Sequence, residues 1–204
     1  VREWVFKWRG YVLIPSALVV LALCRPTTAS FTCGLLVAVL GEALRIWGVG
    51  YSGLTTRSSQ VQAPELVTAG PYAFVRNPLY IGNFITALGF AIVAAGGLCP
   101  ATRWFLFLFT GGTYITVYGL IVPLEEEYLA RTFGEPYFEY RRRVPRWTPR
   151  LTPYPDMQGR FDWRAIAQGE IHTLALFVLV GSVMAYKLFL SSTLFSQLLH
   201  PIFH

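Results

Sequence analysis

Apolar runs alternate with short polar connections along the whole chain. Residues 11–24 form the first run, with Pro15 as a candidate kink. Residues 31–49, 80–98, 104–124 and 171–190 form four more. Three of the five approach or reach the roughly 20 residues that a bilayer core requires. Residues 51–69 read as a polar loop, 97–103 as a short turn containing Pro100, and 148–164 as a Pro-rich polar connection. After the fourth run the polarity changes abruptly. A helix is expected to continue to Phe133, to break at Gly134-Glu135-Pro136, and to resume as a short helix ending at Arg143. Gly82, Gly89 and Gly96 recur every seven residues and mark a stripe for close helix contact, while Gly111, Gly112 and Gly119 suggest the same for the fourth run. The pattern predicts an all-α fold, a polytopic integral membrane bundle of about five transmembrane helices.

Composition supports that class. The chain of 204 residues is 54% hydrophobic and 14% charged, where soluble domains carry about 25% charged residues. It reads as a single membrane domain over residues 1–204 with no separate soluble unit. Val1 is not an initiator Met, so the numbering is expected to start after a processed or trimmed end.

The net charge of +6 is uneven, with Arg141, Arg142, Arg143, Arg146, Arg150, Arg160 and Arg164 in one polar segment. Beside membrane spans such a cluster reads as the cytoplasmic side. No base-reading motif accompanies it, which argues against nucleic acid as a partner. The opposite side holds only Arg25, Arg103 and Lys187, so the N-terminus is expected in the cytoplasm and the C-terminus, with His200 and His204, outside. Trp4 and Trp8, one turn apart, suit an interfacial belt. The cysteines, Cys24, Cys33 and Cys99, read as small apolar residues, with one disulfide between Cys24 and Cys33 left open. No zinc ligand set can be assembled at recognised spacing.

The chemistry concentrates in two segments. The first is Gly70-Pro71-Tyr72-Ala73-Phe74-Val75-Arg76-Asn77-Pro78-Leu79-Tyr80-Ile81-Gly82. Asn77 is expected to cap a helix by accepting from a first-turn N–H, with Pro78 at the first helical position. A helix start of this kind can receive an anionic group. The second is Glu125-Glu126-Glu127. Arg131 provides Glu127 with a partner four residues on. Glu125 and Glu126 have no such local partner; they form either a solvated helix end or a carboxylate pair for hydroxyls or a cation. Tyr72, Tyr80, Tyr128, Tyr137 and Tyr140 lie at the same level. Glu42 and Arg45, three apart inside the second span, form either a self-satisfied pair or part of a polar cavity. Aromatics, a carboxylate and an open helix start suit a ligand with an adenine, a ribose, a cationic centre and a carboxylate. S-adenosylmethionine answers that description.

These segments resemble the isoprenylcysteine carboxyl methyltransferase and phospholipid N-methyltransferase superfamily. Gly70, Tyr72, Arg76, Pro78, Tyr80 and Gly82 match its Gly-x-Tyr-x-x-x-Arg-His-Pro-x-Tyr-x-Gly motif. Glu125, Glu126, Leu129, Phe133, Gly134, Tyr137, Tyr140, Arg143, Val144 and Pro145 match its second. The likeness covers residues 31–147, a methyltransferase-like core; the first span and the extra C-terminal transmembrane helix, residues 165–204, lie outside it. The resemblance implies S-adenosylmethionine as cofactor on the cytosolic side. Glu65, Leu66 and Val67 would give loop contacts; Tyr72, Asn77, Pro78, Leu79 and Tyr80 would line the cofactor, and Glu125 would hold it. Two positions depart from the pattern. The family His before Pro is Asn77, which cannot titrate near neutral pH. The Arg that prenylcysteine-processing members place one turn before the first Glu is Ile121, which cannot pair with a carboxylate; Arg45 or Arg76 would have to substitute.

The expected reaction is methyl transfer to a lipophilic small molecule or lipidated acceptor entering laterally from the bilayer. Orientation and desolvation are expected to supply the rate, with Glu126, Arg76 and Tyr137 as catalytic candidates and Glu126 or a tyrosine as base for an amine or hydroxyl acceptor. The alternatives are a non-catalytic scaffold or lipid-binding homologue and an NADPH-dependent membrane reductase. Membrane lipids are expected partners, and the glycine faces permit a homo-oligomer.

Overall fold

The computed structural model describes residues 4, 8–53 and 65–199. The expected outer placement of His200 and His204 therefore lies outside the described residues, as does most of the expected 51–69 loop. The described residues are helical, with no strand among them: α1 (Arg9–Val12), α2 (Ile14–Leu23), α3 (Thr28–Ser52), a 3-10 turn (Gly70–Ala73), α4 (Pro78–Ala95), α5 (Pro100–Phe133), α6 (Glu135–Arg143), α7 (Trp163–Gly169) and α8 (Ile171–Leu199). Four of these, α3, α4, α5 and α8, are long and apolar enough to cross a membrane.

The first apolar run does not form a fifth such helix. It breaks at Leu13 between α1 and α2. Pro15 has no N–H to donate, and its ring opposes the carbonyl four residues back. The ten residues of α2 rise about 15 Å, half of a bilayer core. At the other end of the chain, the last helix runs past Lys187, whose Nζ donates to the Leu21 carbonyl at 2.6 Å and ties α8 to α2.

Large apolar side chains face outward on the spans, among them Leu36, Leu40, Leu108, Ile115 and Leu179. The interior is instead built from small residues and backbone contact, as expected where lipid replaces water outside. The pair α3–α4 is the clearest case. A Cβ on Gly34 would lie 2.5 Å from the Gly89 carbonyl oxygen, and one on Gly89 2.4 Å from the Ala38 nitrogen. The Gly82, Gly89 and Gly96 stripe thus meets a second heptad stripe, Gly34, Gly41 and Gly48, which sequence inspection had passed over. Gly111, Gly112 and Gly119 do not behave this way. A Cβ there would meet nothing within 4 Å, so the expectation of close packing on the fourth run fails.

The fourth span and the acidic segment are one helix, α5, with Pro123 inside it. At about 1.5 Å per residue, its 34 residues overreach the apolar core and carry Glu125 and Glu126 to the membrane edge. Gly134, at φ 57°, ends it. Cys24 and Cys33 are free thiols: Cys24 is buried in the core cluster with Val20 and Ala91, while Cys33 points outward from α3. Arg25 and Arg103 lie together at one end, where Gly97 N–H donates to the Arg25 carbonyl and Arg103 to that of Leu98. The two motifs lie at the other.

Candidate active site

Residues 65–76 are held from two sides. The polar connection after α6 runs back along them: Thr68 and Ala69 N–H donate to the Gln158 carbonyl, Arg76 N–H to that of Pro145, and Tyr154 N–H to that of Ala73. Beneath, Leu66 and Ala73 pack with Tyr137, Tyr140 and Tyr154. The Tyr140 hydroxyl donates to the Tyr72 carbonyl at 2.8 Å. Gly70 sits at φ 61°, and a Cβ there would strike the Tyr51 ring, so this turn admits only glycine.

The turn delivers Arg76 and Asn77 to α5. One Glu126 oxygen accepts from Arg76 Nε at 3.0 Å and from Asn77 Nδ2 at 3.4 Å, and Arg146 reaches the other through Nη2 at 2.5 Å. Arg76 Nη1 also donates to the carbonyls of Arg141 and Val144. One buried carboxylate thus joins α5, the start of α4 and the chain after α6. The charge of Glu126 holds the Arg146 guanidinium above its ordinary value, its hydrogen bond being the largest contribution.

Asn77 is the N-cap residue of α4 by position, but its side chain makes no capping bond. It is turned instead onto Glu126 and the Arg146 carbonyl. The first-turn amides of α4, which no intrahelical acceptor can satisfy, are therefore left uncapped by this side chain. The expectation of an Asn77 cap is overturned: a cap would need Oδ1 to accept from a first-turn N–H, and the side chain is oriented instead by its Nδ2, which donates to the Glu126 carboxylate and the Arg146 carbonyl.

Glu125, the neighbouring carboxylate, accepts from the Tyr80 hydroxyl at 2.6 Å. The two motifs therefore touch. Tyr72 lies in the same neighbourhood: burial holds its phenol well above the usual value, the nearby Glu125 charge adds to that, and a Ser52 hydrogen bond opposes it. Pro78 and Leu79 turn their side chains toward Gly48 of α3, leaving only their backbone for a ligand. Val67 lies against Gly159, Leu66 is buried in the core, and Glu65 is exposed.

Tyr137 is 1% exposed, and burial pushes its phenol up to about 12, with the Glu126 charge raising it further. It is packed beside the Glu126 knot rather than set at an open surface. Ile121 is fully buried between Val117 and Val122. Arg76 is committed to Glu126, and Arg45 to Glu42 at 3.2 Å and Glu170 at 2.5 Å. Neither guanidinium stands open to take the carboxylate-binding role of the arginine absent at 121.

Sequence inspection missed Arg146, hidden among arginines read as positive-inside, and Glu170 and Asn83, the latter also bonded to Arg45. An acidic residue directly preceding the last span was the one available signal for Glu170.

The family model for phospholipid methyltransferases matches residues 29–136, just over half of the chain. The chain is 31% identical over 126 residues to the nickel-cobalt-cadmium resistance protein NccN of Alcaligenes xylosoxydans, covering 62% of this chain and 53% of that one. It is 30% identical over 132 residues to the cobalt-zinc-cadmium resistance protein CzcN of Cupriavidus metallidurans, covering 65% and 53%. It is 32% identical over 124 residues to human protein-S-isoprenylcysteine O-methyltransferase, covering 57% and 40%. The chain thus spans about half, or less, of the length of these relatives. No solved structure matches.

Proposed function

Because the chain belongs to the phospholipid methyltransferase family, we propose that it transfers a methyl group from S-adenosylmethionine to a lipophilic acceptor at the cytoplasmic edge of the membrane. The single observation that carries this reading is the 2.6 Å bond between Tyr80 and Glu125. It brings both motifs to one place, beside a helix start whose Asn77 side chain is turned away.

The residues fit the cofactor. Glu125 offers a carboxylate for ribose hydroxyls, and the first-turn amides of α4 offer donors for the carboxylate of the methionine part. Tyr72 and Tyr80 provide ring faces and hydroxyls. S-adenosylmethionine held there would supply an activated methyl, its carbon–sulfur bond breaking as the bond to the acceptor heteroatom forms. The chain's own task is orientation and exclusion of water. Glu126 and Arg76 are positioning residues in this reading: they fix the loop 70–77 against α5 without a lone pair or proton to spare. An amine or hydroxyl acceptor must also lose a proton as the methyl arrives.

The arginine-rich end of the molecule lies toward the cytoplasm in this proposal, and the acceptor reaches the site from the bilayer. A carboxylate acceptor such as a prenylcysteine is disfavoured because Ile121 replaces the arginine that would meet it.

The test is a calorimetric titration of S-adenosylmethionine into the purified protein in detergent. Saturable heat is expected, weakened about tenfold or more in Glu125→Ala, the loss appropriate to a charged hydrogen bond. Absence of heat with the folded wild-type protein overturns the reading.

A further inference from the structure

Arg76 and Asn77 reach Glu126, but their neighbours Phe74 and Val75 line an apolar groove that takes no part in the proposed cofactor site. Leu44 and Trp47 of α3, Ile81 of α4 and Pro149 of the connection after α6 complete its walls. Its volume is about 310 Å³, room for roughly ten groups the size of a water or a methylene. Every side chain that lines it is apolar. Trp47 is exposed on the face of α3 that also carries the exposed Leu36 and Leu40, so the groove opens toward lipid. Trp47 stands five residues before the end of α3 at Ser52, about 8 Å along the axis. That places it at the level of the headgroups, where tryptophan is favoured.

The rim of the groove is cationic. Arg150 directly follows Pro149, and its N–H donates to the Phe74 carbonyl at 3.0 Å. Its Nη1 and Nη2 donate to the Arg143 carbonyl at 3.2 Å and the Thr152 hydroxyl at 3.1 Å. Two of the five N–H donors of this guanidinium thus fix its direction, and the rest meet no partner among the described residues. Arg142 and Arg146 differ, the first being paired with Glu135 and Glu139 and the second with Glu126. Trp147 and Leu151 flank Arg150 in sequence and are exposed, Leu151 at 99%. A lone exposed leucine is ordinary. An exposed tryptophan and leucine around an arginine, beside a lipid-facing groove, are the makeup of a segment seated in the headgroup layer.

Groove and rim select different parts of one molecule. A slot without polar side chains takes a hydrocarbon chain. The unspent donors of Arg150 call for an anion with several acceptor oxygens, and a phosphate is such a group. A zwitterionic headgroup brings its own cation to the same place and cancels part of the attraction. Pro149 and Arg150 lie beyond residue 136, where the family model ends, so the rim is built outside the segment that defines the family.

We propose that the groove seats one acyl chain of an anionic phospholipid from the leaflet on the arginine-rich side, with its phosphate on Arg150. This binding requires no methyl transfer and stands or falls apart from the function proposed above.

The experiment uses the full chain in a neutral detergent and phosphatidylglycerol carrying a photoreactive diazirine in the upper half of one acyl chain. Labelled peptides are expected from residues 44–47 and 71–75. Unlabelled phosphatidylglycerol should compete at about tenfold lower concentration than phosphatidylcholine, the factor that a charged hydrogen bond supplies. That preference should narrow in about 1 M salt, which screens an exposed charge. Arg150→Gln should bring the two lipids to within about threefold of each other while the same peptides stay labelled. Leu44→Trp, which fills the groove, should reduce labelling without touching a charge; the wild-type competition decides alone if that variant does not fold. Titration of S-adenosylmethionine into Arg150→Gln separates this proposal from the previous one: retained cofactor binding with lost lipid preference supports it. Equal competition by the two lipids in the wild-type protein, labelling confined to other segments, inorganic phosphate competing as well as phosphatidylglycerol, or an undiminished preference in Arg150→Gln overturns it whatever the cofactor titration gives.

Discussion

Two ionic knots join this bundle, and they are built the opposite way round. At the membrane edge one carboxylate, Glu126, is shared by two guanidiniums, Arg76 and Arg146. Within the spans one guanidinium, Arg45, is shared by two carboxylates, Glu42 and Glu170. In the first knot both carboxylate oxygens are bonded, and Arg76 spends its remaining donors on backbone carbonyls. In the second an oxygen of Glu42 remains unmatched beside a cavity. A saturated knot can hold parts together but has nothing left to offer a ligand. An unsaturated one gives up part of that stability.

That contrast is open to direct attack. The largest effect is expected from Glu126→Ala. It strands two guanidiniums, one of them deeply buried, and detaches α4 from α5 and the chain after α6. Removal of one partner from a buried pair costs about 3–5 kcal/mol, toward the lower end here because Arg146 is partly open to solvent. Thermal unfolding in detergent should register it, together with loss of S-adenosylmethionine binding. Stability within about 1 kcal/mol of wild type would mean that the knot is not a brace.

Arg45→Ala comes next. It leaves Glu42 and Glu170 facing each other, but a buried carboxylate can take up a proton, which limits the loss to about 2 kcal/mol. The same unfolding assay at two pH values should show the variant recovering as pH falls, since protonation removes the repulsion.

A smaller change is expected from Tyr140→Phe, which deletes one hydrogen bond to the Tyr72 carbonyl and should cost about 1 kcal/mol. Its cofactor affinity should fall, with a drop of about 2–4 °C in unfolding temperature, if the bond serves to set the loop. Glu42→Gln should be nearly silent in stability, within about 0.5 kcal/mol, because it alters a carboxylate that already has an unmatched oxygen rather than a saturated one. A loss as large as that of Glu126→Ala would erase the distinction between the knots.

Much of this was legible beforehand for definable reasons. The apolar runs announced the spans, Gly134-Glu135-Pro136 announced the break between α5 and α6, and the Gly82, Gly89 and Gly96 period announced a close helix contact. Each depends on residues within a turn or two of one another. The paired motifs likewise pointed to Tyr80 and Glu125, which meet. What escaped was of another kind. Asn77 carries a good capping side chain in a good capping position, yet it bonds to a residue 49 positions away. Gly119 looks like Gly89 in sequence, but only Gly89 faces a neighbouring backbone. Arg146 looked like bulk positive charge, and Glu170 drew no reading at all, until packing set them against Glu126 and Arg45.

The sequence by itself determined the long helices, their approximate ends, the membrane class and the two segments that meet at Tyr80 and Glu125. Hydrophobic period, glycine, proline and charge placement act through near neighbours, and the bilayer allows few other solutions. The tertiary structure alone decided which carboxylate is saturated and which is not. The partners of Glu126 lie 20 and 50 residues distant, and Glu170 lies 125 from Arg45. Partnerships over such separations follow from how the helices pack, because a buried charge accepts whichever opposite charge the fold sets beside it.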